Sequence, residues 1–378
     1  MVRKSKAEYL AAIRPRYERA GLAGKRRILD EFCEVCGYHR KHAIRLLNAT
    51  DRGRRRRPGR PSVYGEAERV ILERIWLAGN RPCAVRLQPM LECWLGSYEQ
   101  TYGRVDPLVR RRLLGISART LERLMKPVRK RHGTRGKCGT RPGTLLKKQI
   151  PIKTHHADVT RPGLMEADTV AHCGDSLEGD FIWSLTLTDI DSGWTENRAV
   201  WNRGYEGVQA AIRDIEEDLP FRLTGFHSDN GGEFLNHHLL RFFRDRQLPI
   251  QPTRSRPNHK DDNAHVEQKN YTHVRLLLGY ERMEDAALVD PINRLYALWG
   301  LFNNLFCASR KLIEKKREGS RYLKRYDKAS TPAERLLASP HIDEAKKTYL
   351  TELRCNHNPF SLKRLIDHHQ DQILRHRR

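Results

Sequence analysis

Long apolar runs are missing from this 378-residue chain: no stretch of 18 apolar residues occurs, and the N-terminus MVRKSKAEYL lacks the apolar segment of a secretory signal. Membrane spanning and secretion are both disfavoured on that ground. Cysteine is sparse, with eight residues (Cys33, Cys36, Cys83, Cys93, Cys138, Cys173, Cys307 and Cys355) scattered along the sequence. That scatter fits reduced thiols better than a disulfide framework, so the expected location is cytoplasmic. There is no P-loop and no dinucleotide-binding Gly fingerprint, which leaves ATP-driven and hydride-transfer chemistry without an anchor.

Acid is the minority charge: 46 Asp and Glu stand against 71 Lys and Arg, a formal charge of +25. A polyanionic partner is the natural inference. The excess is unevenly placed, since residues 1–163 carry 39 basic and 14 acidic side chains, residues 164–290 carry 13 and 23, and residues 291–378 carry 19 and 9. An acidic block between basic flanks suits a site that collects divalent cations beside regions that grip phosphate. The length allows two or three domains and at least one substantial core.

In the basic N-terminal third, Ile28, Leu29, Phe32 and Val35 stand at helical spacing, Gly37 follows, and Ala43, Ile44 and Leu47 mark a second helix. Helix, tight turn and helix over residues 1–50 predict a helix-turn-helix unit whose outer face holds Arg40, Lys41 and Arg45, the residue types that reach bases and phosphates. Cys33, Cys36, His39 and His42 lie within these elements, and the gap between the pairs is too short for a zinc finger, so packing is their expected role. Residues 64–131 predict a second such unit: Pro107–Leu114, a turn at Gly115, and a helix capped by Ser117 that buries Leu121, Leu124, Met125 and Val128. Its outer face would present Arg119, Arg123, Lys126 and Lys130. The intervening residues 51–63 form a basic linker; its Pro-Gly-Arg-Pro core, flanked by Arg57 and ending at Pro61 after Arg60, resembles an AT-hook, although Pro58 stands where that peptide has Arg. A second basic linker covers residues 132–160.

From Leu164 the pattern changes to β-rich stretches at Leu164–Ala171, Phe181–Thr188 and Trp194–Trp201, with Asp189-Ile190-Asp191-Ser192-Gly193 as a hairpin turn. A helix is expected at Tyr205–Glu217, a strand at Arg222–His227, a helix at Asn236–Arg246, a short strand near Leu248–Gln251 and a helix from about Asn263 to Leu277. Within this block "GLMEADTV", "HSDNGGEF" and "DDNAHVEQKN" follow in order. Together they resemble the three acidic motifs of the DDE-type integrase/transposase catalytic core, over roughly residues 161–285. The resemblance implies an α/β ribonuclease-H-like core with a mixed five-stranded sheet, and catalytic, metal-holding carboxylates at Asp168, Asp229 and Glu267. It further implies two Mg²⁺ or Mn²⁺ ions, which such an acid trio would hold about 4 Å apart. Asn270 and Tyr271, on the same helix as Glu267, become candidate contacts to the scissile strand.

The spacing between Asp229 and Glu267 is slightly longer than in the best-known members, and Asn258–Asp262 replace the usual Gly-containing approach to the glutamate. No zinc-binding N-terminal domain is evident, and residues 286–378 predict a mainly helical basic region instead of a small β-barrel, which favours the bacterial insertion-sequence branch. The expected function is therefore a transposase that binds double-stranded element ends and target DNA, acts as a homo-oligomer without membrane contact, and catalyses strand cleavage and strand transfer. A catalytically inactive, transposase-derived DNA-binding regulator is the alternative, and a structure-specific nuclease on the same fold is a third reading. Asp189 and Asp191 are rival acids on the neighbouring hairpin, for which a turn role is expected.

Overall fold

The first helices form around a small set of apolar contacts. In the computed structural model, which describes residues 3–49, 63–132, 159–202, 204–228, 234, 237–250, 252–254, 264–318 and 321–376, the chain divides into two compact units, Met1–Val63 and Tyr64–Arg378. In the first, α1 (Arg3–Arg19), α2 (Leu22–Cys36) and α3 (Arg40–Leu47) enclose Ile13, Tyr17, Leu29, Phe32, Cys36, Ala43 and Leu47. Gly37 ends α2 in the left-handed region at φ 65°, its N–H donating to the Cys33 carbonyl, and the His39 side chain caps α3. Val35 and Ile44, expected on the buried faces, are exposed, and Cys36 takes the inner place instead.

The second unit opens with α4 (Glu66–Ala78), α5 (Ala84–Tyr102), α6 (Pro107–Leu114) and α7 (Ala118–Arg131). Asp106 caps α6 and Ser117 caps α7, each through a side-chain oxygen that accepts backbone N–H groups. These helices share one hydrophobic core with everything that follows. The fully buried Trp94 donates its indole N–H to the Phe306 carbonyl at 3.0 Å, and the Arg86 guanidinium donates to that of Ala308.

The sheet that follows comprises β1 (Leu164–Ala171), β2 (Ile182–Asp189), β3 (Thr195–Trp201), β4 (Gly225–Ser228) and β5 (Pro252–Arg254), in the order β3-β2-β1-β4-β5. β1 pairs antiparallel with β2, β2 antiparallel with β3, and β4 runs parallel to both β1 and β5. Helices α8 (Tyr205–Asp218) and α9 (His237–Arg244) make the crossovers, followed by α10 (Ala264–Lys269), a π-helical stretch Asn270–Arg275 and the single turn α11 (Leu276–Leu278). This order and polarity are those of the ribonuclease-H-like core. The fifth strand lies at Pro252–Arg254, just beyond the Leu248–Gln251 expected for it.

β3 is an edge strand, and α12 (Val289–Phe306) closes that edge. Asn304 accepts from the Thr195 N–H and donates to the Thr195 carbonyl, both at 3.0 Å, while Asn293 does the same for Ala199 at 2.7 and 3.1 Å. Two asparagines thus take over hydrogen bonds that a further strand would have made, which removes a template for unwanted pairing. The apolar residues of α12 are buried against the core.

The C-terminal region is mainly helical, as expected, with one addition. It is helical in α13 (Pro332–Ala338), α14 (Glu344–Cys355) and α15 (Pro359–His376), with Thr331 and Glu334 forming a capping box, but a hairpin of β6 (Leu312–Glu318) and β7 (Arg321–Tyr326) precedes them. Its alternation is charged on charged, so no apolar period of two marks it in the sequence.

Candidate active site

β1 lies at the centre of the sheet, between β2 and β4. Alternate residues of a strand face the same side, which puts Glu166 and Asp168 together. Glu166 is fully buried and its Oε2 accepts from the Val266 N–H at 3.1 Å. Asp168 is half-buried; its Oδ2 accepts from Asn270 Nδ2 at 2.6 Å and its Oδ1 from the Thr169 N–H at 2.8 Å. Two contacts four residues apart therefore fix the α10 segment along β1. Glu267 is the residue after Val266 on that segment; its side chain lies outside the described residues. β4 ends at Ser228 opposite Ala167, the neighbour of Asp168. Asp229 follows Ser228 in sequence and also lies outside the described residues.

Carboxylates are the hard oxygen donors that Mg²⁺ and Mn²⁺ prefer, and Asp168 is an accessible one, so the donor chemistry fits the ions implied by the resemblance. Among the described residues no group of three His, Cys, Asp or Glu could hold a metal; of the three candidate ligands only the Asp168 side chain is described.

The rival acids are occupied in the hairpin turn. Asp189 is fully buried, with Oδ1 accepting from the Gly163 N–H at 2.8 Å and Oδ2 from the Ser192 N–H and hydroxyl at 2.7 and 2.6 Å. Burial outweighs those bonds and pushes its carboxyl up to about 6. Gly163 is required there: at φ 117° a Cβ would stand 2.5 Å from the Arg222 carbonyl. Asp191 pairs with Lys311 at 2.9 Å.

Three features of the site carry no distinct sequence signal. Glu166 is one acid among several in its motif, Lys269 sends its Nζ to the Gly193 carbonyl at 3.4 Å under the β2–β3 turn, and the π-helical stretch begins at Asn270. Desolvation, reinforced by Arg86 and Arg335, lowers the Lys269 ammonium to about 7. The π-helical winding shifts the positions after Asn270 away from ordinary helical spacing. Asn270, expected at the scissile strand, here engages Asp168, and Tyr271 is half-buried on the same stretch.

Of the expected DNA-facing groups, Arg119, Arg123, Lys126 and Lys130 are exposed on α7, opposite the buried Leu121, Met125 and Val128. In the first unit Arg40 pairs with Asp30, Lys41 is exposed, and Arg45 Nη2 lies 3.0 Å from His42 Nδ1. His39 is exposed and serves as the cap of α3, Cys36 is buried with its thiol pushed up by desolvation, Cys33 packs against the same core and His42 meets the Tyr38 ring edge-on. Arg57 and Arg60 lie outside the described residues. No described helix is long and apolar enough to cross a membrane.

The strand order and strand polarity define a protein with a ribonuclease-H-like fold. The chain belongs to the family of the uncharacterized protein y4rM of Sinorhizobium fredii (strain NBRC 101917 / NGR234), to which it is 38% identical over 336 residues, 88% of this chain and 95% of the other. No protein-family model matches it. Among solved structures, the catalytic core domain of BIV integrase aligns at 19% identity over 47% of this chain and 95% of its own, with a TM-score of 0.31. A simian T-cell lymphotropic virus intasome in complex with PP2A regulatory subunit B56 gamma aligns at 13% identity over 55% of this chain and 68% of its own, with a TM-score of 0.32. The fold assignment rests on the strand order, not on these alignments.

Proposed function

We propose that this chain is a DDE-type polynucleotidyl transferase, a transposase of the bacterial insertion-sequence kind, that cuts and joins double-stranded DNA at Asp168, Asp229 and Glu267. The observation that carries the reading is the docking of the Glu267-bearing α10 segment on the central strand, through Glu166 to the Val266 N–H and Asn270 to Asp168. An accessible carboxylate on the middle strand, a second acid one residue past the adjacent parallel strand and a third on a helix fixed across them match the order of the three sequence motifs. Two bound Mg²⁺ or Mn²⁺ ions would supply activation of the attacking oxygen and stabilisation of the leaving one. Asn270 holds the Asp168 carboxylate in one orientation, and the exposed cations of α7 offer contacts to phosphates of the element end. Joining two ends of one element requires two sites, so a homo-oligomer on DNA is part of the proposal.

Glu267→Gln tests it, because the amide keeps size and helix preference while removing a charge. Labelled duplexes ending in the inverted repeats that flank the gene are incubated with Mn²⁺. The variant should still bind the ends yet lose cleavage and joining together, by roughly a thousandfold if several kcal/mol of transition-state stabilisation are removed. Substantial joining by the folded variant would take Glu267 out of the site and sink the assignment.

A further inference from the structure

The β6–β7 hairpin has two faces of different charge. Backbone pairing sets Glu314 opposite Arg325, Lys315 opposite Lys324, Lys316 opposite Leu323, Arg317 opposite Tyr322 and Glu318 opposite Arg321. Opposed residues share a face, and faces alternate along each strand. One face therefore holds both glutamates with Lys316, Arg321, Leu323 and Arg325, and two of its three cations stand near an acid: Arg325 lies 3.6 Å from Glu314 and Lys316 3.9 Å from Glu318. The register gives the other face Lys315, Arg317, Tyr322 and Lys324, with no acid.

Like charges directly opposed across two strands destabilise the pair, and Lys315 faces Lys324. Little apolar burial offsets this, since Leu312, Ile313 and Leu323 are all exposed. The acids at the base are otherwise engaged. Asp191 pairs with Lys311, Asp327 takes Arg335 at 3.1 Å, and Ser309 and Ser330 bridge the two arms. These contacts tie the hairpin to the β2–β3 turn. That turn begins at Asp189, which pairs with Met165, three residues from Asp168 along β1, or about 10 Å at strand rise.

We propose that the Lys315, Arg317, Tyr322 and Lys324 face is a phosphate-contacting ribbon for double-stranded DNA, holding duplex beside the carboxylate site. The proposal rests on the reading that duplex DNA is the substrate. A two-stranded ribbon has the width that a duplex groove admits. At its base the same face also carries Leu312 and Tyr326, while Leu323 stands on the opposite face, so beyond the base charge dominates over apolar area.

Two full-length variants of equal charge change provide the test. One carries Lys315→Gln, Arg317→Gln and Lys324→Gln; the other carries Lys316→Gln, Arg321→Gln and Arg325→Gln. Duplex affinity is measured against salt, where each phosphate contact adds about 0.9 to the log–log slope. The first variant should lower the slope by about 3 and weaken binding more than tenfold at low salt, with the second close to wild type. Thermal midpoints report folding, and if the first triple fails to fold, Lys315→Gln with Lys324→Gln should lower the slope by about 2. Equal losses from the two faces, or an unchanged slope in the first, would overturn the proposal. So would unchanged duplex binding accompanied by lost binding to phosphatidylserine vesicles, which would point to a membrane, or by a changed oligomeric state, which would point to a second copy. Wild-type protein that binds duplex but joins no ends would fail the transferase reading alone and leave the ribbon standing.

Discussion

Two groups of acids on one sheet differ in what surrounds them. On the β2–β3 side, Asp189 is fully buried, Glu196 is buried, and both are well supplied with donors: Glu196 accepts from Trp194 Nε1 at 2.8 Å and Asn304 Nδ2 at 3.3 Å, with the Arg198 guanidinium 3.7 Å away. Desolvation pushes their carboxyls up to about 6 and about 7. On β1, Asp168 is half-buried and opens to the side where the third motif is docked. A strongly shifted carboxyl is often taken as a sign of catalysis. Here the shifted acids hold a turn and an edge strand, and the accessible acid is the one to which the proposed function assigns chemistry.

The largest expected effect separates the two groups outright. Asp168→Asn should cut strand joining by roughly a thousandfold, through loss of a ligand charge, while leaving the thermal midpoint nearly unchanged. Asp189→Ala should do the reverse. It removes the acceptor for three buried donors, costing about 3 kcal/mol of stability, while joining per folded molecule is retained. Joining assays normalised to the folded fraction check both, and the contrast collapses if Asp168→Asn unfolds the protein or if folded Asp189→Ala is inactive.

A smaller effect is expected from pH. Glu196 titrates near 4.5 when unconstrained and about 7 in the fold. Between those values the native state holds the proton more tightly than the unfolded chain, so this group's contribution to stability is present below about pH 4.5, declines as pH rises through the window and is lost above about 7. Glu196→Gln does not titrate and should flatten the curve there, by at most roughly 1.4 kcal/mol per pH unit. Urea midpoints between pH 4.5 and 7.5 provide the measurement, and parallel curves for the two proteins would refute the buried, proton-holding state.

Much of this arrangement is legible in the residues. β1 matches its expected span, Leu164–Ala171, and the end of α2 at Gly37 and the start of α7 after Ser117 follow from glycine and cap positions. Those signals are local. What stays hidden depends on partners distant in sequence. Asn293 and Asn304 look like polar interruptions of an apolar helix until β3 is seen to need their amides. The β6–β7 hairpin buries no apolar stripe, so nothing in its pattern separates it from a solvated helix. The π-helical stretch that begins at Asn270 has an ordinary helical composition, so the shift it imposes on the positions after Asn270 carries no mark in the sequence.

The smallest effect probes how far the buried network tolerates a loss. Tyr296 is fully buried on α12, and its hydroxyl lies 2.6 Å from that of Ser184 on β2, which in turn lies 2.8 Å from His172 Nε2. Desolvation raises the Tyr296 phenol, so it stays neutral throughout the working range. Tyr296→Phe deletes one hydroxyl and keeps the ring, and the Ser184 hydroxyl can still pair with His172, leaving no orphaned charge. The expected cost is about 1 kcal/mol, read as a modest fall in the urea midpoint with strand joining unchanged. This contrasts with Asp189, where three donors lose their acceptor at once. A loss of 3 kcal/mol or more would show that Ser184 and His172 cannot close the gap alone. The chain of three groups would then be as demanding as the turn beneath it.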